Sequence, residues 1–204
     1  MATSFFSIFL VYLSIDIHNF KQVKQSLNTS LKNLRTNYLD SLVMHSPLSS
    51  YSKTLSVWRT FESFHDQGTV KSLGISNIYD LQFLKQLWNE ARVKPAIVQN
   101  RFYADTEYDQ GIRAFCQSVG IHYQSFWTLT ANPHVLGNRQ FRNMAARYHA
   151  TQPQLFYRFV MALGICPLSG TTDDLHMEQD MEVTGIPMTS EDVEEVKKMM
   201  SIAN

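Results

Sequence analysis

The chain has 204 residues, 44% of them hydrophobic, which is enough for one domain with a sizeable core. Its 18 basic residues balance its 18 acidic ones, so no long-range field gathers nucleic acid or an anionic membrane surface. The two cysteines, Cys116 and Cys166, have neither metal-ligand spacing nor the density of a disulfide-stapled domain, which points to a reduced, cytoplasmic setting without a metal.

The apolar run from Met1 to Leu13 is shorter than the roughly 20 residues that span a bilayer, and it lacks both a basic leader region and a small-residue cleavage site. Residues 1–19 read first as an aberrant, non-native start, next as a stretch holding a buried strand, and last as a signal or anchor. Phe20, Val23, Leu27, Leu31 and Leu34 then recur at three- and four-residue steps, the stripe of an amphipathic helix. A strand at 39–44 follows and stops at His45-Ser46-Pro47.

The same alternation continues. A helix carries Trp58, Phe61 and Phe64 as far as Gly68, with a strand at 70–75 behind it. The next helix carries Leu81, Leu84, Leu87 and Trp88, and the strand after Pro95 covers 96–99. A helix at 112–118 stops at Gly120, before a strand at 121–126. Two helices, at 141–148 and 154–163, lead to a strand at 165–168, with Cys166 expected to be buried. Thr189 and Asp192 form a candidate capping box for a last helix at 191–200.

Apolar strands separated by helical crossovers predict an α/β protein with a parallel sheet covered on both faces. Five strands are predicted, or six with one at 5–13, whereas a closed (β/α)8 barrel needs eight and about 250 residues. If the fold is a barrel, its front is missing.

In such folds ligands gather at the carboxyl ends of the strands, and here every predicted strand ends in polar groups. His45 closes the first, Ser76 and Asn77 the second, Gln99 and Asn100 the third, and Gln124, Ser125 and Phe126 the fourth. Ser169-Gly170-Thr171-Thr172 closes the fifth and leads into a helix at Asp173, where free N–H groups suit a phosphate. Each residue also has a plainer reading. His45 before Ser-Pro suits a loop, Ser76-Asn77 and the Gly-Thr-Thr turn suit helix caps, Gln99 suits a buried backbone partner, and Phe126 and Trp127 suit core. Only their shared placement favours a site.

Leu34-Arg35-Thr36-Asn37-Tyr38-Leu39-Asp40-Ser41-Leu42-Val43-Met44-His45-Ser46-Pro47 resembles the aldo-keto reductase segment that ends in the catalytic histidine. Gly68-Thr69-Val70-Lys71-Ser72-Leu73-Gly74-Ile75-Ser76-Asn77 and Lys94-Pro95-Ala96-Ile97-Val98-Gln99-Asn100 resemble that family's next two signatures, and residues 167–180 a fourth. The resemblance implies a partial (β/α)8 TIM barrel over 20–204, roughly strands 4 to 8 with their helices. It also implies an NAD(P)H-dependent reductase of aldehydes or ketones, acting on a small carbonyl substrate. Of the family's catalytic residues only the histidine, His45, is carried over, because nothing before Phe20 matches the aspartate, tyrosine and lysine of earlier strands. The chain is therefore expected to be truncated and of doubtful activity alone. A non-catalytic cofactor-binding or regulatory relative, or a degenerate gene product, is the alternative.

By the same resemblance Ser76, Asn77 and Gln99 hold the nicotinamide carboxamide and Phe126 stacks on its ring, while Leu129 and its loop lie along the pyrophosphate. Ser169, Gly170, Thr171 and Thr172, with His176, Gln179 and Asp180, border the adenosine phosphate, and Trp127 and His134 line the substrate pocket. Gly170 and His176 stand where members strict for NADPH carry lysine and arginine, so NADPH leads NADH only modestly as the cofactor.

Overall fold

A computed structural model describes residues 20–201, so the strand considered at 5–13 lies outside the described residues. The architecture is α/β, with five strands in the order β1-β2-β3-β4-β5 and parallel pairing throughout β1–β3 and in β4–β5. The chain forms two compact units: residues up to Gln99 together with Cys116–Ile121, and Asn100–Phe115 together with His122 onward.

In the first unit, α1 (Phe20–Leu34) is followed by β1 (Leu39–Met44), α2 (Tyr51–Asp66), β2 (Val70–Ser76), α3 (Leu81–Glu90) and the start of β3 (Ile97–Arg101). Helix α1 presents Val23 and Leu27 inward, as its periodicity predicts. Strands β1 and β2 pair from Leu39↔Val70 to Met44↔Ile75, and β2 and β3 from Gly74↔Ile97 to Ser76↔Gln99. Leu39, Leu42, Leu73, Ile75 and Val98 are fully buried between the layers, which is why these strands read as continuous apolar runs. The β2–β3 approach depends on Gly74, where an added Cβ would lie 2.9 Å from Ile97 Cβ and 2.9 Å from the Ile97 carbonyl oxygen.

A buried carboxylate fixes the turn before β3. Glu62 on α2 accepts the backbone N–H groups of Arg92 at 2.7 Å and Val93 at 3.1 Å, and it receives Arg59 at 3.0 and 3.1 Å. One helix turn earlier, Trp58 Nε1 donates to the Val93 carbonyl at 3.0 Å. The two contacts lock α2 to the α3–β3 connection.

The second unit holds the end of β3, a 3-10 segment at Ala104–Asp109, the first part of α4 (Gln110–Val119), and β4 (His122–Phe126). It continues with α5 (Pro133–Leu136), α6 (Arg139–Arg147), α7 (Gln152–Ala162), β5 (Cys166–Pro167), α8 (Asp174–Glu182), a 3-10 turn at Val183–Gly185, and α9 (Ser190–Met199). Its core is aromatic. Phe156 on α7 lies 6.0 Å from Phe141 on α6, 5.9 Å from Phe159 and 6.5 Å from Phe102, ring centre to ring centre. Thr151 and Gln154 cap α7 reciprocally.

Four expectations are corrected. Strand β5 is two residues long because Pro167 has no N–H for the ladder, although Leu168 N donates to Ser125 O at 2.8 Å just beyond it. Cys166 is exposed and only Cys116 is buried. At α9, Thr189 caps through Asp192 N, but its own N–H donates to the Tyr148 hydroxyl at 3.0 Å. The Asp192 carboxylate is taken by Tyr148 and by Arg147 at 2.7 Å, so no reciprocal box forms there. Helix α3 is capped by Asp80, which accepts from Gln82 N and Phe83 N, so Ser76 and Asn77 are not its cap. Among the described residues no helix is long and apolar enough to cross a membrane.

Candidate active site

In the first unit, the ends of β1, β2 and β3 are tied together at Asn77. Its backbone is left-handed, φ 52°, a conformation that asparagine tolerates better than most residues. Its Nδ2 donates to the His45 carbonyl at 2.8 Å and lies 3.3 Å from Ser76 Oγ, while its N–H donates to the Gln99 carbonyl at 3.0 Å. Tyr79 OH donates to Oδ1 at 3.3 Å. Ser76 and Gln99 have no solvent exposure, and His45 is half-buried directly after β1. His45, Ser76, Asn77 and Gln99 thus form one hydrogen-bonded group of strand ends.

In the second unit, Phe126 ends β4 half-buried, with the Trp127 ring edge-on at 6.4 Å. Trp127 is 58% exposed and, like Asn77, left-handed at φ 52°. Arg101, at the end of β3, lies 4.2 Å from the Trp127 ring centre and 4.8 Å from that of Tyr103. The loop carrying half-buried Leu129 is stapled from below: Ser125 and Thr128 share a 2.8 Å hydroxyl contact, and Asn132 Nδ2 donates to Phe102 O at 2.7 Å and Thr128 O at 2.9 Å. His134 is exposed on α5, its Nε2 3.3 Å from the Tyr108 hydroxyl.

The turn after β5 differs in detail from the expected open anion cradle. Ser169 donates to the Asp180 carboxylate, Thr171 Oγ1 accepts Asp173 N–H at 3.1 Å, and Asp173 Oδ1 accepts His176 N–H at 3.0 Å. Two backbone donors at this helix start are therefore already engaged. Gly170, Thr172 and His176 are exposed, and Gln179 lends its carbonyl to Gln154 Nε2 at 3.0 Å. From Ser169 to Glu182 the sequence carries Asp173, Asp174, Glu178, Asp180 and Glu182 and no lysine or arginine, a negative surround for any phosphate.

The family model described as "Aldo/keto reductase family" matches residues 16–201. The chain belongs to the aldo/keto reductase family. An NAD/NADP-dependent indole-3-acetaldehyde reductase of Schizosaccharomyces pombe is 25% identical over 189 residues, covering 88% of this chain and 66% of that protein. A 2,5-diketo-D-gluconic acid reductase B of a Corynebacterium is 27% identical over 180 residues, covering 88% of this chain and 64% of the relative. The chain thus spans slightly under two thirds of the length of these curated relatives. Among solved structures, an aldo-keto reductase from a Medee basin deep-sea metagenome library has the same fold, with TM-score 0.85 at 22% identity over 96% of this chain and 71% of that one. An aldo-keto reductase complexed with NADPH superposes with TM-score 0.78 at 19% identity, over 93% of this chain and 63% of that one.

One polar cluster of this aldo/keto reductase was not singled out from the sequence. Asp109 is buried, and its Oδ2 accepts Asn100 Nδ2 at 2.6 Å and Tyr123 OH at 2.7 Å. Burial pushes this carboxyl above its usual range, against the hydrogen bonds from Asn100, Thr106 and Tyr123 and the nearby Arg113 charge. It ends a run of three left-handed residues, Glu107, Tyr108 and Asp109, and Arg113 Nε holds the Tyr108 carbonyl at 2.7 Å. The sequence signal was an acidic residue just before a helix, which is ordinary at a helix start.

Proposed function

We propose that this chain forms the greater part of an NAD(P)H-dependent carbonyl reductase of a small aldehyde or ketone, and that residues 20–204 correspond to strands four to eight of the (β/α)8 barrel. The observation that carries the reading is the Asn77 knot, because it ties the Ser76 hydroxyl, the Asn77 amide, the Gln99 backbone and the histidine-bearing strand end together. A carboxamide needs both donors and acceptors, and Ser76, Asn77 and Gln99 offer both. The half-buried Phe126 ring supplies a face for a planar heterocycle, and Leu129 with its stapled loop lies along the pyrophosphate.

When bound, the cofactor supplies the hydride that goes to the carbonyl carbon. His45 orients and polarises the substrate carbonyl, with its own backbone fixed by Asn77. Protonation of the carbonyl oxygen falls to the tyrosine that the family places on an earlier strand, together with its aspartate and lysine. Trp127 and His134 line the substrate side. Ser169, Gly170, Thr171, Thr172, His176, Gln179 and Asp180 border the adenosine end. NADPH is the first choice there and NADH the second, and the protein works in the cytoplasm.

The test is direct. The purified chain is titrated with NADPH and NADH by calorimetry, then assayed for loss of nicotinamide absorbance with an aldehyde panel. Binding that fails in both Asn77→Ala and Gln99→Ala supports the assignment. Binding without turnover favours the non-catalytic alternative, and no binding of either nucleotide removes the reading. Because the anion end is acidic, the NADPH-to-NADH affinity ratio is expected to stay below about tenfold, for want of an arginine fork on the 2′-phosphate.

A further inference from the structure

Helix α8 buries none of its own residues, and two of its ties to the second unit run through Gln179 and Asp180. At about 3.6 residues per turn, Asp174, Met177, Glu178, Met181 and Glu182 lie on the side away from that pair. All five are exposed, Met181 by 63% and Met177 by 45%. An ordinary solvated helix face mixes both signs of charge and carries few large apolar groups. This one sets methionines beside carboxylates, with no lysine or arginine between Ser169 and Glu182.

A surface of matching charge stands on the same chain. Helix α1 contains no aspartate or glutamate, and exposed Lys24, Asn28 and Lys32 recur along it at four-residue steps. With Gln25 and Thr29 they line a groove of about 380 Å³. Lysine stems give a groove apolar walls below a charged rim, which suits the flexible thioether of methionine. Asp174, Glu178 and Glu182 repeat the same step on α8, so each row of polar groups is about 12 Å long. Among the described residues none of Lys24, Lys32, Asp174, Glu178 and Glu182 is in an ion pair.

We propose that α8 of one molecule docks on the α1 groove of a second copy, so that the protein self-associates head to tail. With the helices side by side and running the same way, Lys24 meets Asp174 and Lys32 meets Glu182, while Met177 and Met181 fall on the Gln25 and Thr29 side of the groove. The two faces differ, so the contact is heterologous and adds copies without closing a symmetric pair. Two short helices bury less than a standard interface, which makes the association weak and dependent on concentration. It is independent of the reductase reading.

Sedimentation velocity of the full chain measures it. At about 50 mM NaCl the weight-average mass should climb above the 23.5 kDa of one chain between about 5 and about 200 µM, and at about 500 mM it should fall back. Lys24→Glu with Lys32→Glu should abolish the climb, and so should Glu178→Lys with Glu182→Lys. All four changes in one chain keep its net charge at zero and should restore association. Lys53→Glu with Lys198→Glu alters net charge as much as the first pair but should associate like the unsubstituted chain. Association that survives either reversed pair, ignores salt, or is not restored by the four changes together overturns the proposal. So does a chain that stays monomeric at low salt, which would give the α8 face to a different basic partner. Should a reversed-charge chain fail to fold, Lys24→Gln with Lys32→Gln takes its place and must weaken association several-fold, or the proposal falls.

Discussion

Replacing Asn77 separates backbone strain from hydrogen bonding, because glycine, alanine and aspartate each remove a different part of what it does. Alanine loses the 2.8 Å bond to the His45 carbonyl and the contact with Tyr79, and it must also hold φ 52°. With about 0.5 to 1.5 kcal/mol for the main bond and about 1 kcal/mol for the left-handed backbone, Asn77→Ala should cost about 2 kcal/mol. Glycine relieves the strain but frees the unfolded chain, so Asn77→Gly should cost about 1 kcal/mol less than alanine at most, and remain destabilising. Aspartate tolerates the backbone but sets a carboxylate against the His45 carbonyl, so it should be the worst of the three at neutral pH, by about 1 kcal/mol or more over glycine. Urea unfolding followed through the fluorescence of buried Trp58, in the same unit, measures all three. If glycine proved as harmful as alanine, backbone strain would not count at this position, and if neither moved stability by about 0.5 kcal/mol, the knot would not be what holds these strand ends.

Three further outcomes follow from the packing. Gly74→Ala drives a methyl within 2.9 Å of Ile97 and should destabilise by about 1 to 3 kcal/mol, whereas the same change at Gly170, with nothing within 4 Å, should be nearly silent in a thermal melt. Glu62→Ala orphans two backbone N–H groups and should lower unfolding free energy by about 2 to 4 kcal/mol; a Gln substitution, which keeps the shape, that did equal harm would show that charge and not shape is at stake. Asp109 titrates above its unfolded value, so its stability contribution is complete below a pH of about 4 and is lost as pH rises through the higher folded value. Asp109→Asn should therefore gain relative stability as pH climbs above about 4, and a difference from the unsubstituted chain that stayed flat as pH rose would refute the assignment.

Continuous apolar runs located the buried strands well. Strand β1 matches its predicted bounds, and β2 runs one residue further because Ser76 still pairs with Gln99. Strand β3 runs on to Arg101 because the Asn100 side chain is satisfied inside, by Asp109. What the sequence hid depended on partners distant along the chain. The left-handed run at Glu107, Tyr108 and Asp109 contains no glycine or asparagine to announce it. The cation–aromatic stack of Arg101 is made across residues that no local pattern connects. Tyr148 displaced the capping box at Thr189 for the same reason: its hydroxyl comes from another helix.

Helix α8 buries none of its own residues, and two of its ties to the rest are the Gln154–Gln179 bond and the Ser169–Asp180 pair. A segment held so lightly opens by itself, and its amides should exchange with solvent well before those of α7. Any dinucleotide that closes on this segment must first quiet it, and that ordering subtracts from affinity. Grip on the nucleotide could then be tuned from outside the contact surface, by substitutions that do no more than fasten this helix down.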